Sequence, residues 1–321
     1  MKLSKAVEGY SLDSLSNGYS KSTITSYQSS LNLLAQYLGD PEIETITGDD
    51  LKRFFLYLRT DYQPRRINST DIRPLAGASL HGKWKAMRSL WNWASELLGP
   101  LPAAKTIPMP KYENKPIVPF TEEETKKLIR ACEITAEANT ERRTRYVQRR
   151  PTAARDKAIV LILIDTGIRV GELSRLCIDD VDLESGEILI RPFGRGLKTR
   201  GRVVNIANHA KRALWLYLAK RSDTDPSDPL FLNDELKKLD ANAIKTFCRR
   251  LGERCGITGV HPHRFRHTFA IQYLRNGGDP YTLQKLLGHK SMEMVRRYLD
   301  IAQSDISNAH KRASPADRWR L

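Results

Sequence analysis

Apolar residues recur at three- and four-residue steps in the opening third of the chain, and each such stretch predicts a helix. Ile24, Tyr27, Leu31, Leu34 and Leu38 form one stripe, closed by Gly39. A second helix is expected from Thr47, with Asp50 three residues on as a capping partner and Leu51, Phe54, Phe55 and Leu58 facing a core. A third begins near Ser79 and carries Leu80, Trp84, Met87, Trp91, Ala94 and Leu98 before Gly99. Its tryptophans, Trp84, Trp91 and Trp93, could stack on bases, but their place on the helical stripe favours the core. Between the second and third helices, YQPRRINSTDIRPLAG is a polar, proline-bearing loop whose Arg65, Arg66 and Arg73 could meet phosphates.

Residues 100–119 hold six of the sixteen prolines, so they read as an interdomain linker of extended chain. Helix is expected again at Thr121, which forms a capping box with Glu124. The basic stretch ERRTRYVQRRPTAARDK fits either a DNA-backbone contact or a solvated insertion. An apolar run over Ile159–Ile164 leads into TGIRVGEL, and VDLESGEILIRPFGRGLKTRGRVVNI then alternates and turns like a short antiparallel sheet. Several helices complete the chain. The division is therefore a 1–19 extension, a 20–99 helical domain, a 100–119 linker and a 120–321 second domain.

Charge adds a partner. The formal net charge is +16, and residues 1–104 contribute only +2 of it. A polyanion is the first expectation, and the charge is lopsided along the chain. The four cysteines, Cys132, Cys177, Cys248 and Cys255, show no CxxC pairing, which suits free thiols in a reducing cytoplasm. The longest apolar run, Ala158–Ile164, is far too short to span a bilayer, and the amino terminus lacks an apolar signal core. The expectation is a soluble cytoplasmic protein.

The chemistry lies in three short segments: TGIRVGEL with Arg169 and Glu172, HPHRFRHTFA with His263, Arg266 and His267, and LLGHKSMEMVRRYLD with His289 and Tyr298. Cleaving a phosphodiester requires fixed positive charge on its non-bridging oxygens. Guanidinium supplies this bidentately and keeps its proton. Arg169 and Arg266 are the candidates, with Glu172 orienting Arg169. Alone, Arg169 and Glu172 would read as an ordinary surface pair at i,i+3. His263, Arg266 and His267 can share one helical face. The H-x-x-x-H spacing of His263 and His267 also permits zinc, but no third ligand is evident and two arginines inside the motif would repel a cation. His289 follows a glycine that lets the chain turn sharply. Tyr298 reads alone as a half-buried core residue, but a phenol attacks well beside cations that favour phenolate, and Arg296 and Arg297 adjoin it.

In this order and spacing the segments resemble the tyrosine recombinase (phage integrase) family, over roughly residues 117–321. The first domain looks like that family's SAM-like core-binding domain. The implied fold is mainly α: a helical core-binding domain, then a mixed α/β catalytic domain, mostly helical with a small antiparallel sheet, the two forming a C-shaped clamp on duplex DNA. The resemblance implies that Arg169, His263, Arg266 and His289 cradle the scissile phosphate. Tyr298 attacks it, leaving a 3′-phosphotyrosine and a free 5′-hydroxyl, and His267 joins Glu172 in support. The family's sheet lysine matches Lys198 in GRGLKTR, with Arg195 and Arg200 beside it as DNA contacts. Arg264 departs from the acidic or polar residue often found there. No metal, ATP or other cofactor is implied.

Size and the short segment before the first expected helix place the chain nearest the Xer-like and simple integrase branch, without the arm-binding domain of lambda-type integrases. The tail ISNAHKRASPADRWRL resembles Xer-type tails that pack on a neighbouring subunit, which implies a homotetramer assembled on DNA and leaves room for a directionality factor. The competing functions are a type IB topoisomerase-like relaxing activity, a sequence-specific DNA-binding protein with a vestigial site, and a nucleic-acid packing protein.

Overall fold

A computed structural model describes residues 1–64, 73–103, 109–111, 116–134, 138–140, 143–146, 150–193, 201–221, 225–302 and 314, with backbone alone over 138–140 and 143–146. The chain divides into two compact units, Met1–Pro116 and Ile117–Leu321.

The first unit contains α1 (Leu3–Ser16), α2 (Lys21–Leu38), α3 (Gly48–Thr60) and α4 (Gly77–Leu98). Ser20 caps α2, and Gly39 ends it at φ 76°. Thr47 and Asp50 close the expected capping box on α3. Most stripe positions pack as read, with Leu31, Leu34, Leu51, Phe54, Leu58, Met87 and Trp91 all buried, but Leu98, expected to end the third stripe, is exposed at the end of α4. Trp93 is only half-buried, its ring edge-on to Tyr10 at 5.8 Å.

One expectation fails here. Residues 1–19, read as an extension preceding the first helix, contain α1, which packs on α2 and α4 through Leu3, Ala6, Val7 and Tyr10. The linker is also less separate than its prolines suggest, since Leu101 and Ala103 join this core.

The second unit contains α5 (Glu122–Glu133), a two-stranded antiparallel pair of β1 (Ala138–Thr140) and β2 (Arg143–Tyr146), α6 (Ala153–Thr166) and the single turn α7 (Val170–Leu173). There follow β3 (Glu187–Ile190), β4 (Arg202–Asn205), α8 (Asn208–Leu218), α9 (Ala241–Cys255), α10 (Pro262–Arg275), α11 (Pro280–Leu287) and α12 (Glu293–Ala302). The basic stretch ERRTRYVQRRPTAARDK, read as a DNA-backbone contact or a solvated insertion, thus contains β2 and the start of α6. Helix α6 is the core element. Ile159, Val160, Ile162 and Leu163 are fully buried because α5, α8 and α10 surround it.

Strands β3 and β4 pair antiparallel, with Ile190 opposite Arg202 and Ile188 opposite Val204. The two-residue period sends Ile188, Ile190 and Val204 inward and Leu189 and Val203 outward. Arg202 lies on the inward side with Val204, which buries a cation. A smaller core of Ala270, Ile271, Leu283, Leu287, Val295 and Tyr298 joins α10, α11 and α12. No helix among the described residues is long and apolar enough to cross a membrane.

Candidate active site

The site forms where the end of α6, the start of α7 and the end of α11 meet one face of α10. Helix α10 starts where the sequence can cap it: His261 accepts the Arg264 N–H through Nδ1 at 3.2 Å, and Pro262 occupies the first turn. From that start, His263, Arg266 and His267 follow within the next two turns. Gly167, at φ 60°, ends α6 and turns the chain so that Arg169 stands at the N-cap of α7. Gly288, at φ 62°, ends α11 and delivers His289 in the same way.

Arg266 is the hub. Only 3% exposed, it donates from Nη1 to the Gly167 carbonyl at 2.8 Å and from Nη2 to the Leu287 carbonyl at 2.7 Å. Both carbonyls are helix-end acceptors that would otherwise be orphaned. The same Nη2 donates to His289 Nε2 at 2.8 Å. Burial first, then the charge of Arg169, pulls the Arg266 pKa down to about 9, so it remains cationic at neutral pH. His289 is 8% exposed, and burial followed by Arg266 and Arg169 lowers its pKa to about 4. Since Nε2 accepts from Arg266, the neutral ring carries its proton on Nδ1.

Arg169 is more open. Its Nη2 donates to the Gly288 carbonyl at 3.3 Å and its Nη1 to Glu172 Oε1 at 3.1 Å. Glu172, 3% exposed, also accepts the Arg169 N–H at 2.8 Å. The carboxylate has a second, larger partner that the sequence reading left without a role. Arg202 donates to both of its oxygens, at 3.1 and 2.7 Å, and from Nε to the Leu286 carbonyl at 2.6 Å. Burial would raise the Glu172 pKa, but hydrogen bonds and charge from Arg202, then from Arg169, hold it below the ordinary carboxylate range. No local motif marks Arg202. The available signal was an arginine at an inward strand position, visible only once the hairpin register is known.

Tyr298 lies on α12 and is 3% exposed. Its hydroxyl is 2.9 Å from His267 Nδ1, and its ring is nearly parallel to His289, with centroids 6.2 Å apart. Burial raises its pKa against the lowering pull of Arg266, Arg169 and Arg297, so the free protein holds a neutral phenol. His263 is exposed, its ring 6.2 Å from that of His267.

The structure therefore brings Arg169, Glu172, His263, Arg266, His267, His289 and Tyr298 together. Lys198, Arg195, Arg200, Arg65 and Arg66 lie outside the described residues. Arg73 is described and exposed, in the segment before α4. Arg264, the departure in the histidine motif, is structural: it donates to Glu124 and to the Val118 and Thr258 carbonyls while stacking 4.0 Å over Phe120.

For a metal ion, the described residues offer only Cys177, Asp179 and Asp180, with ligand atoms within 4.8 Å of one another. Asp180 already accepts the Cys177 N–H, and both carboxylates pair with Arg191.

A buried arginine hub, a second arginine oriented by a carboxylate, two neutral imidazoles and a tyrosine on a mainly helical frame define a tyrosine recombinase. The phage integrase family model matches residues 119–305, and the chain belongs to that family. It is 28% identical to the tyrosine recombinase XerC of Oceanobacillus iheyensis, over 91% of this chain and 90% of that protein. It is 36% identical over 166 residues to the tyrosine recombinase XerA of Thermococcus kodakarensis, which is 51% of this chain and 57% of that protein. The fold is shared with the Tn1549 transposon integrase in complex with transposon right end DNA, at a TM-score of 0.72 and 16% identity, covering 96% of this chain and 99% of that one.

Proposed function

We propose that this chain is a site-specific DNA recombinase that cuts and rejoins duplex DNA through a 3′-phosphotyrosine on Tyr298. The observation that carries this reading is the phenol of Tyr298 seated among Arg266, His289 and His267, with Arg169 more exposed beside them. Guanidinium groups held by backbone carbonyls cost little reorganisation when a phosphate arrives. They can stabilise the charge that builds on its non-bridging oxygens. His263 is the accessible imidazole of the set. Lys198 takes the role of acid for the departing 5′-oxygen, because arginine holds its proton too tightly to serve. The bond energy stays in the protein–DNA ester, so rejoining to another 5′-end needs no ATP.

Assembly belongs to the same reading: a homotetramer on paired DNA sites, with tails beyond α12 exchanged between subunits and a directionality factor where one outcome must be favoured. Arg65, Arg66, Arg73, Arg195 and Arg200 add backbone contacts.

The test is a nicked suicide substrate that traps the covalent intermediate. Tyr298→Phe is expected to bind half-site DNA as the parent does and to form no adduct. Peptide mapping of the parent adduct to a different tyrosine would overturn the assignment. Strand exchange between two sites, rather than relaxation of one supercoiled circle, separates recombination from topoisomerase activity.

A further inference from the structure

A phenol that attacks phosphorus must lose its proton, and Tyr298 is buried away from bulk water that could take it. We propose that His267 is the general base that removes the Tyr298 hydroxyl proton during strand cleavage and returns it during rejoining. The proposal rests on the recombinase reading and adds a catalytic residue to it.

Geometry carries the assignment. His267 Nδ1 is 2.9 Å from the Tyr298 hydroxyl, the separation of a proton-sharing pair. The contact joins α10 to α12, two helices that pack directly on each other, so it is built into the scaffold rather than made by a surface loop. Neither of the other two imidazoles competes: among the described residues the phenolic hydroxyl hydrogen-bonds His267 and not His263, whose ring stands 6.2 Å from that of His267. His289 faces the phenol ring, but its Nε2 lone pair is taken by Arg266 and its Nδ1 carries the proton. Arg266 and Arg169 have no lone pair to offer.

The protonation state fits. Burial first, then His263, His261 and Arg266, lowers the His267 pKa to about 4, so its Nδ1 lone pair is available at neutral pH. The charged and titratable groups around it are His261, His263 and Arg266 from its own helix, Tyr298 from α12 and His289 beyond the phenol. A bound phosphodiester brings negative charge beside these cations and raises the basicity of His267 where the reaction needs it.

The step balances. A Tyr298 oxygen lone pair forms the bond to phosphorus, and the phenolic proton moves to His267 Nδ1, giving imidazolium. The bond from phosphorus to the 5′-oxygen breaks, and that oxygen leaves with the electron pair and takes a proton from Lys198. Rejoining reverses each transfer: Lys198 accepts the 5′-hydroxyl proton, and His267 reprotonates the departing phenolate.

Single-turnover cleavage of the suicide substrate tests the assignment in the full-length protein, with thermal midpoint and half-site affinity measured alongside. His267→Ala and His267→Asn are expected to slow cleavage about 10²–10⁴-fold, the usual contribution of a general base. The asparagine variant can keep a hydrogen bond to the phenol but cannot take its proton, so it covers the case in which the alanine variant is poorly folded. In both, the rate should rise tenfold per pH unit towards the phenol pKa. Replacing Tyr298 with a difluorinated tyrosine of lower pKa should restore most of it, which no merely structural role for His267 would allow. Cleavage within threefold of the parent, or slow cleavage that neither alkaline pH nor the fluorinated residue relieves, overturns the proposal. An adduct at Tyr298 in the parent with no effect of either substitution removes His267 alone, whereas a parent without any adduct removes the recombinase reading as well.

Discussion

Glu172 accepts two hydrogen bonds from Arg169 and two from Arg202, and it has almost no access to water. A buried carboxylate with two cationic partners is stable only as a set, since deleting one partner leaves charge without full compensation. Arg202→Ala is therefore expected to destabilise the second unit by about 3 kcal/mol. It should also slow cleavage, because the carboxylate that aims Arg169 loses its other anchor and the Leu286 carbonyl loses a donor. Arg202→Lys should fall between, as it keeps the charge but loses the bidentate fork. Urea midpoints and single-turnover rates for the two variants check this. Equal stability of the alanine variant and the parent would show that Arg169 alone satisfies Glu172.

At the scale of elements, the turn from α6 into α7 is the tightest constraint on the site. A Cβ on Gly167 would lie 2.5 Å from a Phe269 ring carbon and 3.2 Å from Leu287, at a φ of 60° that side chains rarely adopt. Gly277 has an even larger φ, 89°, yet open space around it. Gly277→Ala should thus cost the backbone penalty alone, about 1–2 kcal/mol, while Gly167→Ala adds an overpacking penalty of about 1–3 kcal/mol. Thermal midpoints of the two variants measure the difference, and equal shifts would mean that Phe269 moves aside freely.

The same elements show what could be read in advance. Helices α2 and α3 were legible because cap and stripe coincide in each, and α5 through its capping box, while α10 showed only as a face shared by His263, Arg266 and His267. Helix α1 was not, because its buried face is built partly from Ala6, Ser11 and Ser14, and Lys2 gives it no side-chain cap. Arg169, Arg266, His289 and Tyr298 stood out through local spacing. The partnerships of Arg202 with Glu172 and of His267 with Tyr298 span 30 and 31 residues, and no local pattern encodes them.

Across the molecule, the site ties stability to pH. His267 and His289 have pKa values of about 4 in the fold against an ordinary 6.5, so the unfolded chain binds their protons more readily between those values. Their stabilisation is complete above pH 6.5 and is lost as pH falls towards 4. Glu172, held below its ordinary 4.5, loses its contribution only below that. The thermal midpoint should accordingly fall between pH 6.5 and 4, and the double substitution His267→Asn with His289→Asn should flatten that limb. A limb unchanged in the double variant would place the acid sensitivity elsewhere. Both histidines lie in the second unit, which also carries most of the excess positive charge.

Because Arg266 closes the ends of two helices, natural selection sees it twice. A descendant that stopped cutting DNA would still rely on this guanidinium to close both helix ends, whereas the hydroxyl of Tyr298 is held by one hydrogen bond to His267 and phenylalanine fills the rest of its space. Among distant relatives, the arginine therefore records ancestry and the tyrosine records activity.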